Sequence, residues 1–245
     1  MKRTHSIITS IQTITQEMTV YGLLSMIIQL RQRISFQLFL PVTHRLVLQE
    51  AVQIIQLMMP VLQEMDNDKK TRESEYAGYL YPSVFRSLPI AATIGNHDMA
   101  GSDYSAHFNN PNSEDKLGST AAGSDFYFNY GDELFISLNS NNRNQEEHRT
   151  FMKKAVASNP DAKWKVVIFH SDIYGSGQPH ADTDATTNRI IFAPLMDEFD
   201  IDVCLTGHDH TYSRSYQVQD GNVIDYDLSK GSDNNHEGTL YITSG

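Results

Sequence analysis

The sequence predicts an α/β fold, and three observations carry that expectation. Short apolar runs at residues 88–94, 126–130, 134–138, 164–169, 202–206 and 239–243 have the length of strands. Segments of helical character lie between them at residues 145–158 and 187–199. Three of the apolar stretches, 88–94, 164–169 and 203–205, run straight into clusters of imidazole and amide side chains. Strand alternating with helix reads as a layered sheet. In such sheets, sites are built beyond the carboxyl ends of the strands.

Each element has its own local signal. Runs 126–130 and 134–138 are joined by Gly131-Asp132, which marks a hairpin. Asn144 can cap the helix at 145–158, with Glu146 and Glu147 in its first turn and Lys153 and Lys154 near its end. That charge order suits the helix dipole, and Pro160 follows the stop. Segment 187–199 reads as a helix that Pro194 limits or kinks. Run 239–243 reads as a strand with no closing element after it, so the C-terminus is expected to be truncated.

Composition narrows the function. At 245 residues, with 40% hydrophobic and 20% charged residues, the chain is long enough for one large domain or two small ones. A net charge of -11 argues against a nucleic-acid partner, whose phosphates need a basic face. Cys204 is the only cysteine, so no internal disulfide forms, and its apolar flanks make it a small buried hydrophobe. No run of 18 apolar residues is present, so no membrane span is expected. Residues 1–15 lack the pattern of a signal peptide.

Composition also breaks in the middle of the chain. Residues 1–65 contain no aspartate, one glycine (Gly22) and nine glutamines, whereas residues 66–245 contain thirteen glycines and four glutamines. The first part is therefore an atypical segment, residues 66–75 a polar linker, and residues 76–245 the domain that carries the chemistry. Within the first part, Leu46, Val47, Ala51, Ile54, Ile55, Met58 and Met59 have the spacing of one amphipathic helix face.

The chemistry-bearing residues are Gly95-Asn96-His97-Asp98, His170, and Gly207-His208-Asp209-His210. Neutral imidazoles and an amide oxygen suit a divalent transition metal. In an extended His-x-His segment, alternation sends both rings the same way. Asp98 and Asp209 are expected to orient imidazoles or shape turns, with Asp172 a weaker candidate for the same work. Tyr174, His180, Tyr212 and Arg214 are candidates to line a substrate pocket, and Arg214 suits an ion pair equally well. Isolated histidines such as His5, His44 and His148 read as polar surface, and His107 reads as packing.

These three motifs, in this order, resemble the second half of the calcineurin-like metallophosphoesterase signature. The stretch from Gly207 through His210 into Thr211-Tyr212-Ser213-Arg214 is most similar to the purple acid phosphatase-like branch. The resemblance covers residues 76–245. It implies an α/β sandwich of two packed sheets flanked by helices. It also implies two divalent or mixed-valence ions (Fe, Mn or Zn) that clamp a phosphoryl group and acidify a water. By the same resemblance, Asn96, His170 and His208 would be ligands of one ion, His210 a ligand of the other, and His97 the catalytic residue that assists the leaving oxygen. The implied partner is a small phosphoester, and the implied setting is secreted or at the cell surface.

Two earlier motifs of that signature, Asp-x-His and Gly-Asp, have no counterpart in residues 1–65. Shifting the frame so that each codon's third base joins the next two, Met58-Met59-Pro60 forces Asp-Ala, while Leu40-Pro41-Val42-Thr43 permits Ala-Gly-Asp. Gln12-Thr13-Ile14-Thr15 permits Asp-x-His. Residues 1–65 are accordingly read as a wrong-frame translation. The chain as written is expected to hold at most one weakly bound ion and to be impaired as a hydrolase. The competing expectation is a non-catalytic fragment of the fold that binds metal or is inert.

Overall fold

The structure is a computed structural model that describes residues 72–81, 83, 90–99, 101–177, 182–224 and 237–244. These all fall in one compact unit. The expectations for residues 1–65, for residues 66–71 of the linker and for His180 lie outside the described residues.

The described chain is a mixed α/β layer. Its elements are α1 (Arg72–Leu80), α2 (Asp103–His107), β1 (Phe126–Tyr130), β2 (Glu133–Ser137), α3 (Gln145–Ala157), β3 (Trp164–Ile168), α4 (Thr183–Glu198), β4 (Val203–Thr206), β5 (Tyr212–Gln219), β6 (Asn222–Val223) and β7 (Thr239–Ser244). The seven strands form one sheet in the order β1-β2-β3-β4-β7-β5-β6. The four central strands, β2, β3, β4 and β7, run parallel, and antiparallel strands flank them on both sides. The ends of β3 and β4 therefore deliver His170 and Gly207 to the same edge. The second sheet of the expected sandwich is not among the described residues.

Membership of the main core follows the two-residue period of the strands. Leu134, Ile136, Val167, Phe169 and Cys204 join one core with Phe151, Met152 and Ala155 of α3 and Phe192, Leu195 and Met196 of α4. β2 is buried along its whole length, as a strand between a partner on each side should be. β1 is more open, and its Phe128 stacks at 5.0 Å on its cross-strand partner Phe135. Gly131 takes φ 62 in the β1–β2 hairpin.

The helices show where local signals hold and where they yield. The Asn144 side chain accepts from Glu146 N, capping α3 as expected. His148 is fully buried on α3 beside Phe151, Met152 and Ala155, which corrects its reading as polar surface. Spacings of three, four and seven residues place it on the apolar face. α4 begins at Thr183, four residues before the expected start, and runs through Pro194 to Glu198. At its start, the Thr186 and Thr187 hydroxyls donate back to the carbonyls of Asp182 and Thr183. Proline cannot donate to the carbonyl four residues back. There, Gln145 Nε2 donates at 3.4 Å to Ile190 O and at 2.6 Å to Ile191 O, so the helix tolerates the ring.

Two further expectations are corrected. The linker at 66–75 enters the described residues at Arg72 as the first turn of α1, and Arg72 is buried and paired to Asp103 at 2.6 Å. Of the strand expected at 88–94, Ile90 to Ile94 carries no ladder among the described residues. Its carbonyls are met by side chains instead: Tyr104 Oη donates to Ala92 O, and Asn141 Nδ2 donates to Ile94 O.

Candidate functional site

Residues 95–98 form a closed turn. Asp98 N donates to Gly95 O at 3.2 Å, and Gly95 N donates to Asp98 Oδ2 at 2.8 Å. The other carboxylate oxygen accepts from Tyr76 Oη of α1 at 2.7 Å. Burial pushes the Asp98 carboxyl up, while the bonds from Tyr76 and Gly95 pull it back. Burial and the neighbouring Asp98 charge push the Tyr76 phenol far above its ordinary range. Asp98 thus shapes the turn. A Cβ on Gly95 would stand 3.2 Å from Asp98 Oδ2 and 3.5 Å from His170 Nδ1, so the small residue lets the His170 ring close over the turn.

His170 follows β3 and is buried. Its Nε2 lies 2.7 Å from Asn96 Oδ1, across 74 residues of sequence. The amide oxygen only accepts, so Nε2 carries the proton in this arrangement. The His208 ring meets the His170 ring edge-on, 4.7 Å between centroids. Asn96, His170 and His208 are therefore brought together from three segments. Gly207 N donates to His170 O at 2.9 Å, which ties the two strand ends.

The Gly207–His210 segment corrects the expected alternation. It is a tight turn, with Asp209 N donating to Gly207 O and positive φ at His208 (71) and His210 (50). Positive φ is uncommon in a residue with a side chain and clusters at functional sites. His208 is half-buried beside His170, whereas His210 is exposed. Buried Asp209 accepts from Gly177 N at 2.6 Å through Oδ2, and its Oδ1 is buried without a hydrogen-bond partner among the described residues. Buried Asp172 accepts from Gly175 N at 2.6 Å. A Cβ on Gly175 would collide with both carboxylates, so they flank the same backbone position.

The remaining candidates divide. His97 is half-buried in the same turn as Asn96. Arg214 lies on β5 opposite Ile242 and makes no ion pair with a described residue. Tyr212 is exposed. Tyr174 packs edge-on against Tyr241 and under the Arg189 guanidinium, so packing engages it more than an open pocket does. His107 stacks on Tyr76 at 4.1 Å, as packing requires.

Donor chemistry decides how far these residues suit metal ions. Two imidazoles and an amide oxygen fit part of the set for one borderline ion. A second ion is not provided for among the described residues: His210 is exposed, and no group of three or more histidine, cysteine, aspartate or glutamate side chains that could hold a metal is found there.

One set of residues escaped the sequence reading. The Asn139-Ser140-Asn141-Asn142 loop after β2 reaches both the 95–98 turn and Ser171. Its polar run directly after an apolar strand was the available signal. Behind it, fully buried Asp125 and His148 pair at 2.7 Å.

Residues 65–212 match the family model described as calcineurin-like phosphoesterase. The chain is 28% identical to a phosphoenolpyruvate phosphatase of Allium cepa over 69 residues, covering 28% of this chain and 14% of that protein. It is 30% identical to a purple acid phosphatase of Glycine max over 88 residues, covering 35% of this chain and 18% of that one. The chain thus spans less than a fifth of the curated relatives it matches. In fold it is similar to the purple acid phosphatase PPD1 from yellow lupin (Lupinus luteus) seeds, with a TM-score of 0.53 and 16% identity over 80% of this chain and 39% of that one. No helix among the described residues is long and apolar enough to cross a membrane.

Proposed function

The chain belongs to the calcineurin-like phosphoesterase family, and from that premise we propose that its lineage performs metal-dependent hydrolysis of small phosphoesters, with this chain impaired. The observation that carries the reading is the meeting of Asn96, His170 and His208 at the edge where the parallel strands end. These three would hold one ion. An ion there supplies Lewis acidity toward a phosphoryl oxygen. His97, on the same turn as Asn96, gives a proton to the leaving oxygen. Asp98 keeps that turn closed, and Asp209 holds the second turn against the loop at Gly177. Arg214 is left to meet an anionic substrate. No step is assigned to a second ion, because the described residues do not supply its ligands.

Residues 1–65 account for the impairment if they are a wrong-frame translation. The nucleotide sequence tests this: stops in the shifted frame, or absence there of Asp-x-His and Gly-Asp, end the idea. Activity is tested by metal stoichiometry together with hydrolysis of an aryl phosphate, on this chain and on one with the upstream frame rebuilt. At most one ion and little turnover are expected before rebuilding, two ions and turnover after it. Equal rates in the two chains would overturn the reading. A His97→Ala variant of the rebuilt chain should lose turnover far more than metal. The second reading, a non-catalytic metal-binding or inert fragment, is favoured by the lack of a carboxylate among the three converging donors. It is supported if the rebuilt chain also stays inactive.

A further inference from the structure

The turn that carries Asn96 and the strand that carries His170 share no backbone ladder, yet their polar atoms stand 2.7 Å apart. The ladder between β2 and β3 continues only to Leu138 N and Ile168 O. Beyond that point, two adjacent side chains bridge the gap. Asn141 Nδ2 donates to Gly95 O at 3.1 Å, directly before Asn96. Ser140 Oγ accepts from Ser171 N at 3.2 Å and lies 3.1 Å from Ser171 Oγ, directly after His170. Residues 140 and 141 thus close a ring that fixes Asn96 against His170.

The bridging loop is itself pinned at both ends. Asp125 accepts from Asn139 N at 2.7 Å and from His148 Nδ1 at 2.7 Å. His148 Nε2 lies 3.0 Å from Asn142 O. Both ring nitrogens lie against oxygen atoms, so His148 ties Asp125 to the Asn142 carbonyl. Asn139 Nδ2 reaches Thr120 Oγ1 and Gly123 O, and Asn142 Nδ2 reaches Ser119 O and Glu147. A fully buried ion pair is costly to desolvate. Here it holds one four-residue loop, and the contacts of Ser140 and Asn141 in that loop lead to the candidate site.

We propose that Asn141 is a positioning residue that sets Asn96 against His170, with the His148–Asp125 pair as its anchor. The proposal rests on the reading of Asn96 and His170 as metal ligands, but its first test does not need a metal. In the metal-free chain, the His170 Nε2 proton held by Asn96 should give a slowly exchanging imidazole signal by NMR. Asn141→Ala should abolish it. Asn142→Ala breaks bonds of the same loop that lie off the bridge, and should keep the signal. Asn141→Ser, whose hydroxyl is too short to reach Gly95 O, repeats the loss with a milder change. Urea midpoints of all three check folding.

Cobalt(II) titration is the second readout. Partners behind a ligand commonly change metal affinity 10–100-fold. Asn141→Ala should weaken cobalt(II) about tenfold, and Asn142→Ala less than twofold. An unchanged His170 signal in Asn141→Ala, or an equal loss in Asn142→Ala, overturns the positioning role. If the signal responds as expected but His170→Ala leaves cobalt(II) binding untouched, the ligand reading fails and the positioning role stands.

Discussion

The two glycine-led turns at the sheet edge are built on the same plan and held very differently. In the first, Asp98 is served by Gly95 N and Tyr76 Oη, Gly95 O by Asn141, and Asn96 by His170. In the second, Asp209 Oδ2 accepts from Gly177 N, and Asp209 Oδ1 is buried without a partner among the described residues. Both histidines of the second turn sit at positive φ, and His210 faces solvent. Hydrogen bonds complete the first turn without a ligand. The second keeps positive φ at both histidines and a buried carboxylate oxygen that no described residue bonds.

The largest expected effect lies behind the first turn. His148→Phe leaves Asp125 buried and unpaired, and should cost about 3–5 kcal/mol in a urea titration. Amide exchange at Asp98 should accelerate more than at Gly207, because the bridging loop serves the first turn. Equal acceleration at both would break the comparison.

Exchanging the two turn aspartates sharpens it. Asp98→Asn replaces an acceptor facing Tyr76 Oη with an amide and should cost roughly 1–3 kcal/mol. Asp209→Asn removes one of two carboxylates flanking Gly175 and should cost under about 1 kcal/mol. Similar losses would mean that the second turn is as fully satisfied as the first.

Glu133 provides a baseline away from both turns, at the amino end of β2. Burial, with the Asp132 charge, raises its carboxyl from 4.5 to about 7. A carboxyl raised on folding favours the native state most at low pH, and that stability is lost as pH rises through the folded value. Glu133→Gln should therefore stabilise the chain by about 1–2 kcal/mol at pH 8 and do nothing at pH 4. Exchange at Asp98 and Asp209 should not change. The same linkage applies to His148. Burial opposes its charge, but the bond and charge of Asp125 outweigh burial and hold its pKa above the ordinary imidazole range. Its contribution is complete below about pH 6.5 and fades as pH rises through the folded value, so wild-type stability in thermal scans should fall across that range, while His148→Phe stays below wild type at alkaline pH because a neutral His148 still donates to Asp125.

Metal itself should have a modest effect. Zinc at ten times its dissociation constant should stabilise the chain by about 1.4 kcal/mol. Protection should rise at Asp209 N more than at Asp98 N. The reverse would assign the unfinished work to the first turn.

Local pattern reached the elements whose partners are near in sequence. The hairpin at Gly131-Asp132, the Asn144 cap and the strands β3, β4 and β7 were legible because turn chemistry and apolar runs act over a few residues. The missing ladder at Ile90 to Ile94 was not legible, because burial alone looks the same whether side chains or a strand satisfy the carbonyls. The α4 start was hidden by threonines, which read as poor helix formers until their hydroxyls find carbonyls within the helix. His148 was misread although its spacing from Phe151, Met152 and Ala155 marked the apolar face. Its charged partner lies 23 residues away.

The sequence by itself determined the α/β class, the order of the elements and the delivery of His170 and Gly207 to strand ends. These follow from periodicity and turn chemistry, which are written in neighbouring residues. Only the tertiary structure decided which polar groups meet. Asn96 finds His170 across 74 residues, and Asn141 finds Gly95 across 46. It also turned His208 and His210 out of the extended alternation and buried His148 against Asp125. A hydrogen bond depends on distances of about 3 Å between groups that the chain leaves far apart. Only the packing of the sheet with its loops brings them within that reach.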